Sequence, residues 1–420
     1  MSQFDKVIGY DSIKQELLEI CDIIKNRDVY KKLGAKLPHG ILLYGDPGLG
    51  KTLVAKCFIE ESGIKSYTIR RNKGDATFID CITSTFEEAK KNAPCIILLD
   101  DLDKFSTTDD AYGDEEEYVA VQAGIDEVAN SDVLVVATVN NLRKLPTSLY
   151  RSGRFDRKIY FESPSSADAE KIISHFLSNK NVSSDVNMGD LSKMISYSSC
   201  AKLESIINDA AISAGFNRHD QISMDDIVKV VLRNQYGVPD ENLLVADGQI
   251  EKTALHEAGH AVVLETLVPG SVGLVSIRRS GRSNFGGFVH RCKDVETRRA
   301  DIMVSLAGKA AVELYFSETV ASGCRSDLDS AFTMIKDGIA ESATNGLGFL
   351  GKPESADGSF LLETVVHAEL EHYMVKTKEI LLKNRAFLEA VRNALIEKDT
   401  LLSSDIQAIK ESVEITKVAV

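Results

Sequence analysis

The chain has 420 residues, 44% of them apolar and 27% charged, which suits two or three globular domains and excludes a disordered chain. A net charge of −14 argues against nucleic-acid binding, which depends on clustered Lys and Arg. The longest apolar stretches, such as Ile41 to Tyr44 and Val133 to Val139, fall far short of the roughly 18 to 20 residues of a membrane helix, so no membrane insertion is expected. The first residues, Met1 to Lys6, lack the basic stretch and apolar run of a secretory signal, and a cytoplasmic location is expected. Seven widely spaced cysteines without a CxxC pair read as reduced and mostly structural.

Between residues 1 and 164 short apolar runs alternate with helical patterns, the signature of a parallel sheet covered by helices. Strands are predicted at Gly40 to Tyr44, Lys65 to Ile69, Cys95 to Leu99 and Val133 to Val139. Each has a polar or Gly-rich exit at its C-terminal end, where open α/β sheets bind ligands. The acidic run from Asp109-Asp110 through Asp114-Glu115-Glu116-Glu117 reads as a solvated loop. After Pro164 the pattern turns helical, at Asp168 to Ser178, Asp190 to Ile195, Lys202 to Gly215 and Met224 to Val231. A Gly237-Val238-Pro239-Asp240 turn then marks a linker. The remainder is largely helical apart from a β-like stretch from Val272 to His290.

Asp46, Pro47, Gly48, Leu49, Gly50, Lys51 and Thr52 follow Gly45 in a GxxxxGK[ST] pattern that leaves a strand and opens a helix. Backbone amides at such a helix start cradle phosphates, Lys51 reaches the β and γ phosphates, and the Thr52 hydroxyl holds Mg²⁺. Ile96-Ile97-Leu98-Leu99 delivers Asp100 and Asp101 beside those phosphates, the first to organise Mg²⁺ and the second to polarise the attacking water. Asn140, at the end of the Val133 strand, can sense the γ-phosphate or orient water. Arg154 and Arg157 read either as a solvated turn or, in a ring, as arginine fingers reaching a neighbour's site.

His256, Glu257 and His260 form HExxH. Residues four apart return to one helix face, so both imidazoles can reach one Zn²⁺, with Glu257 next to the water that a metal activates. The small residues Ala258, Gly259 and Ala261 suit a buried helix, where unpaired His and Glu would be costly without a metal. A third ligand must come from elsewhere. His367 and His372, five apart on a charged helix, read as solvated, and His290 remains possible.

Val7-Ile8-Gly9-Tyr10, GDPGLGKT, IILLDDLD and SGRFDR, in that order and followed by HExxH, resemble the AAA+ ATPases, especially the FtsH type of ATP-dependent metalloprotease. The resemblance implies an α/β AAA+ P-loop domain over residues 1–164 with a helical lid over 165–238, followed by a mainly α-helical zinc metallopeptidase domain over 239–420. It also implies ATP, Mg²⁺ and Zn²⁺ as cofactors, protein or peptide substrates, a homohexamer with Arg154 and Arg157 acting across subunits, and nucleotide contacts from Ile8, Gly9 and Leu53. Matched residue by residue, Asp327 is the third zinc ligand, with Asp329 as the alternative. Two other readings are a protein-remodelling ATPase with an inactive peptidase half and an ATP-independent zinc peptidase.

The match also departs from the family. The family normally begins with membrane-spanning segments, whereas this sequence starts at the ATPase, which argues against membrane-protein substrates. Its usual glutamate is Asp101 in this chain, which implies slower hydrolysis. The family's Phe-apolar-Gly loop, which grips polypeptide, has no clean counterpart in Arg70 to Ile79, where Phe78 is the one aromatic candidate.

Overall fold

The computed structural model describes residues 2–34, 38–71, 78–106, 116–151, 153–239, 249–279, 286–293, 295, 297–316, 322–342 and 356–417. Asp109, Asp110, Asp114 and Glu115 of the acidic run, Asp240 of the linker turn, Ser152 of SGRFDR and residues 72–77 of the presumptive gripping loop lie outside these. The chain forms two compact units, Met1–Phe176 with Tyr197–Ser205 and Leu177–Ser196 with Ile206–Val420. Residues 177–196 and 206–238 of the helical segment thus group with the C-terminal part. No helix among the described residues is long and apolar enough to cross a membrane.

After a 3-10 turn at Gln3–Lys6, the first unit continues with α1 (Asp11–Lys25) and α2 (Arg27–Lys32). There follow β1 (Gly40–Gly45), α3 (Lys51–Ser62), β2 (Lys65–Ile69), α4 (Phe78–Lys91), β3 (Cys95–Leu99), α5 (Glu116–Val128), β4 (Val133–Val139) and β5 (Arg157–Phe161). The predicted strands are present, and β5 is an addition. All five pair in parallel in the order β2-β3-β4-β1-β5. Side chains alternate across the sheet: Ile41, Leu43, Ile96 and Leu98 pack with α1 and α3, whereas Leu42, Ile97 and Leu99 pack with α4 and α5. Burial on both faces explains why these strands read as continuous apolar runs. α4 is amphipathic, with Phe78, Ile82, Phe86 and Ala89 buried on one stripe.

Next come α6 (Ser166–Leu177), α7 (Met188–Met194), α8 (Cys200–Phe216) and α9 (Met224–Tyr236). α9 starts at a capping box, in which Ser223 and Asp226 satisfy each other's backbone amides, and stops at Gly237 with φ 66°. The C-terminal part contains α10 (Ile250–Leu267), β6 (Val272–Arg279), β7 (Gly286–Arg291), α11 (Arg298–Phe316), α12 (Arg325–Asp337), α13 (Ala356–Lys383), α14 (Arg385–Lys398), β8 (Thr400–Leu402) and α15 (Ser403–Ser412). β6 is central in an antiparallel sheet ordered β7-β6-β8, so β7 is an edge. α10 is buried almost all round, packed by α11, α14 and β6. Gly259 permits that approach, since a Cβ there would stand 2.6 Å from the Ala307 carbonyl oxygen of α11.

Candidate functional site

The phosphate loop runs from the C-terminal end of β1 into α3, and glycine supplies its backbone reversals, Gly48 at φ 81° and Gly50 at φ 86°. Leu49 anchors the loop in the core, while Asp46, Pro47 and Gly48 stay exposed. Lys51 is buried, and its ammonium donates to the carbonyls of Gly45 and Asp46 at 2.7 Å each. Burial pushes its pKa down, opposed by the charges of Asp103, Asp101 and Asp46. The Thr52 hydroxyl donates to Asp100 Oδ1 at 2.8 Å, so the loop's magnesium-type hydroxyl and the acid at the end of β3 already share one locus.

Asp100 also accepts from the Thr138 hydroxyl at 2.9 Å, and Thr138 in turn accepts from the Asp101 amide at 2.8 Å. Asp101, at φ 57°, receives Asn140 Nδ2 at 3.1 Å and Lys104 Nζ at 2.9 Å, with Arg70 Nη2 at 3.5 Å. Burial works to raise its pKa, but these partners prevail and hold it below the usual carboxylate range. Asp103 accepts from the amides of Asn140 and Asn141 at 3.1 and 3.2 Å and so ties the end of β4 to the end of β3. Sequence reasoning missed Thr138, Asp103 and Arg70. The DDLD run held a signal for Asp103, but nothing local marks Thr138 or distinguishes Arg70.

Half-buried Ile8 and left-handed Gly9 (φ 75°) precede Tyr10, whose ring packs on Phe161 at 5.1 Å and whose hydroxyl donates to the Glu162 carbonyl at 3.0 Å. Leu53, in the first turn of α3, is exposed. The arginines are placed differently. Arg154 holds Asp126 through Nε at 2.9 Å and Nη2 at 2.8 Å and also bonds the Ser148 carbonyl, whereas Arg157 is largely exposed, 4.0 Å from Glu16. No described contact brings either to the phosphate loop of its own chain.

Phe78 corrects the gripping-loop expectation. It is buried at the start of α4, edge-on to Phe105 at 5.0 Å and beneath the Arg71 guanidinium, so its ring is part of the core and not of an exposed gripping surface. The apolar stripe of α4 claims it for the core.

In the second unit His256 and His260 project from one face of α10 toward Asp327 in the first turn of α12. The two Nε2 atoms are 3.1 Å apart, and Asp327 Oδ2 lies 3.2 Å from His256 Nε2 and 3.5 Å from His260 Nε2. Donors about 2.0–2.2 Å from a tetrahedral zinc are themselves separated by roughly 3.3 Å, so this triangle fits zinc. His260 Nδ1 lies 2.7 Å from the Val304 carbonyl oxygen, which can only accept. Its proton therefore sits on Nδ1, leaving the Nε2 lone pair toward the other donors.

Asp327 is held well below its ordinary pKa: burial opposes this, but the two imidazoles beside it prevail. Burial lowers the His256 pKa, whereas for His260 the neighbouring Asp327 and Glu257 outweigh burial and raise it. Glu257 is buried, and its pKa is pushed up to about 8. Gly287 of β7 lies against it at φ 99°, where a Cβ would stand 2.7 Å from the carboxylate carbon.

The other ligand candidates lie elsewhere. Asp329 is exposed beside Arg325, 3.8 Å away; His290 Nε2 is 3.0 Å from the Ser196 hydroxyl; His367 packs near Phe332 and His372 near Tyr373. Among the described residues, His256, His260 and Asp327 are the one such cluster of potential metal donors.

A parallel P-loop sheet with an acidic pair beside the loop, joined in one chain to a His-His-Asp centre with an adjacent buried Glu, defines the class: an AAA-type ATPase fused to a zinc-peptidase centre. Residues 41–163 match the ATPase family associated with various cellular activities (AAA). The chain is 31% identical to the ATP-dependent zinc metalloprotease FtsH 3 of Symbiobacterium thermophilum, over 97% of this chain and 71% of that protein. It is 30% identical to the ATP-dependent zinc metalloprotease FtsH of Synechococcus sp. (98% and 70%) and 28% identical to FtsH 3 of Synechocystis sp. (97% and 72%). The chain belongs to the FtsH family of ATP-dependent zinc metalloproteases.

Proposed function

We propose that this protein cleaves polypeptides at a zinc centre held by His256, His260 and Asp327, with ATP hydrolysis at the P-loop driving unfolding and delivery of the substrate. The observation that carries the reading is the convergence of those three donor atoms at tetrahedral spacing beside a buried carboxyl. Zinc bound there supplies Lewis-acid polarisation of water and of the scissile carbonyl. Glu257, walled by Gly287, accepts a proton from the attacking water and returns it to the leaving amine. The edge of β7, which pairs only with β6 among the described residues, receives the substrate as an added strand, bringing a peptide carbonyl near Glu257.

At the other centre Lys51 and the loop amides bind phosphates, and Thr52 and Asp100 hold Mg²⁺. Asp101, steered by Asn140, orients the attacking water. Residues 1–164, 165–238 and 239–420 serve as nucleotide domain, lid and peptidase. The chain acts in the cytoplasm as a homohexamer, in which Arg154 and Arg157 face the neighbouring subunit's nucleotide. For Arg154 this requires exchange of Asp126 for a phosphate oxygen.

The test is cleavage of an unfolded fluorogenic protein by zinc-loaded enzyme in ATP and in ADP, with Glu257→Gln as the control. ATP-dependent cleavage that vanishes in the variant supports the reading. Equal rates in both nucleotides leave a zinc peptidase uncoupled from its ATPase, and no cleavage leaves a remodelling ATPase.

A further inference from the structure

The lid grips the edge strand of the peptidase, and neither chemistry described above uses that grip. Tyr236, the last residue of α9, stacks on Phe288 of β7 with ring centroids 3.9 Å apart and planes 13° apart. His290, two residues along and so on the same face of the strand, lies edge-on to Tyr236 at 6.3 Å, with its Nε2 3.0 Å from the Ser196 hydroxyl. Gly287, the neighbour of Phe288, is the residue pressed against Glu257. Tyr236, Ser196, β7 and Glu257 all belong to the second compact unit. One strand thus walls the catalytic carboxylate at one residue and seats the lid's aromatic ring at the next.

The lid's other end touches the phosphate loop. The Ala201 amide donates to the Gly48 carbonyl at 3.0 Å, and a Cβ on Gly48 would stand 2.9 Å from the Ser199 hydroxyl oxygen, all within the first unit. α8 runs unbroken from Cys200 to Phe216, and Asp209 on it accepts from Asn234 Nδ2 at 2.8 Å, two residues before Tyr236. Helix α8, the Asn234–Asp209 hydrogen bond and the ring pair thus lead in sequence from Gly48 through α9 and β7 to Glu257. Coupling between distant sites travels through rigid elements and contacts of this kind.

We propose that Tyr236 is a positioning residue of the peptidase: by stacking on Phe288 it sets β7 against Glu257 and passes the nucleotide state of the phosphate loop to the strand that receives the substrate. This rests on the reading of the chain as an ATP-dependent peptidase. An aromatic pair stabilises beyond its burial, and its loss loosens the strand by roughly two- to tenfold.

The experiment is hydrogen exchange of the β7 amides in the zinc-loaded full chain, with ADP and with a non-hydrolysable ATP analogue. Wild type, Tyr236→Phe and Tyr236→Ala are compared, and peptide cleavage and ATP turnover are followed alongside. β7 protection differs between nucleotides in wild type and in Tyr236→Phe, which keeps the ring. In Tyr236→Ala the strand exchanges roughly two- to tenfold faster, the nucleotide difference disappears, and KM for a peptide rises by a similar factor while ATP turnover is unchanged.

β7 exchange that ignores nucleotide in wild type, or that responds equally in Tyr236→Ala, overturns the proposal. Absence of cleavage by wild type in either nucleotide sinks the peptidase reading instead, and the exchange data still decide the coupling. Phe288→Leu, which removes the stack and keeps apolar volume, replaces Tyr236→Ala if that variant fails to fold.

Discussion

Gly308→Ala separates the metal centre from the helix that supports it. Gly308 lies in the interior of α11, where alanine is favoured over glycine by about 0.8–1 kcal/mol. Its Cα faces the His256 ring, and an added methyl would stand 2.5 Å from both ring nitrogens, well inside the roughly 3.5 Å of ordinary contact. The ring must shift by about 1 Å and leave its rotamer at a cost of about 0.5–1.5 kcal/mol. In metal-free protein the helix gain and the rotamer cost nearly cancel, so Tm moves by less than about 3 °C.

The effect on the metal is of another order. Zinc–nitrogen distances tolerate only about 0.2 Å, so the shift removes one of three protein ligands. Affinity falls by at least the 10- to 100-fold typical of disturbed supporting residues, or about 1.4–2.7 kcal/mol. Competition against a chromophoric chelator gives the zinc affinity, and thermal unfolding in chelator gives Tm. Zinc binding as tight as wild type would refute the seating of His256 against α11, and unfolding of the metal-free variant would refute the cancellation.

Asp101→Asn should lower ATP turnover by at least about 100-fold with nucleotide affinity nearly unchanged, because the amide keeps the contact with Asn140 but cannot take a proton; steady-state kinetics with nucleotide titration decide it. Phe78→Ala should destabilise the first unit by about 3–5 kcal/mol, since the ring is core. Denaturant unfolding measures this, and loss of degradation in a variant of wild-type stability would return Phe78 to substrate gripping. Zinc binding at pH 7 should release protons, because a dication beside Glu257 drives off the proton that the carboxyl holds up to about pH 8; the release should fade as pH rises through that value, as read by calorimetry in buffers of different ionisation enthalpy. In metal-free protein, folded Glu257 binds a proton between pH 4.5 and about 8 that the unfolded chain has released. Its contribution to stability is therefore present below pH 4.5 and lost as pH rises through about 8, which unfolding midpoints across that range would show.

The motifs built from contiguous residues were legible because local geometry alone places their side chains. β1, β3 and β4 read correctly from their apolar runs, and each exit carries a residue of the nucleotide site. β5 was missed: Arg157, Lys158 and Tyr160 are exposed, and only Ile159 and Phe161 face inward. Phe78 was misjudged because position in a loop motif says nothing of which face the next helix turns to the core. Arg154 was singled out from a turn motif, but its bidentate hold on Asp126 depends on α5, from a distant part of the chain.

The sequence by itself determined the phosphate loop and the pairing of His256 with His260, because a glycine-rich turn and a helical repeat of four residues need no distant partner. Only the tertiary structure set Asp327 and not Asp329 within 3.5 Å of both imidazoles, brought Thr138 to Asp100, and laid Gly308 and Gly287 against His256 and Glu257. Those juxtapositions join helices and strands far apart in the chain. Their distances follow from how α10, α11, α12 and β7 pack, and no local spacing encodes that packing.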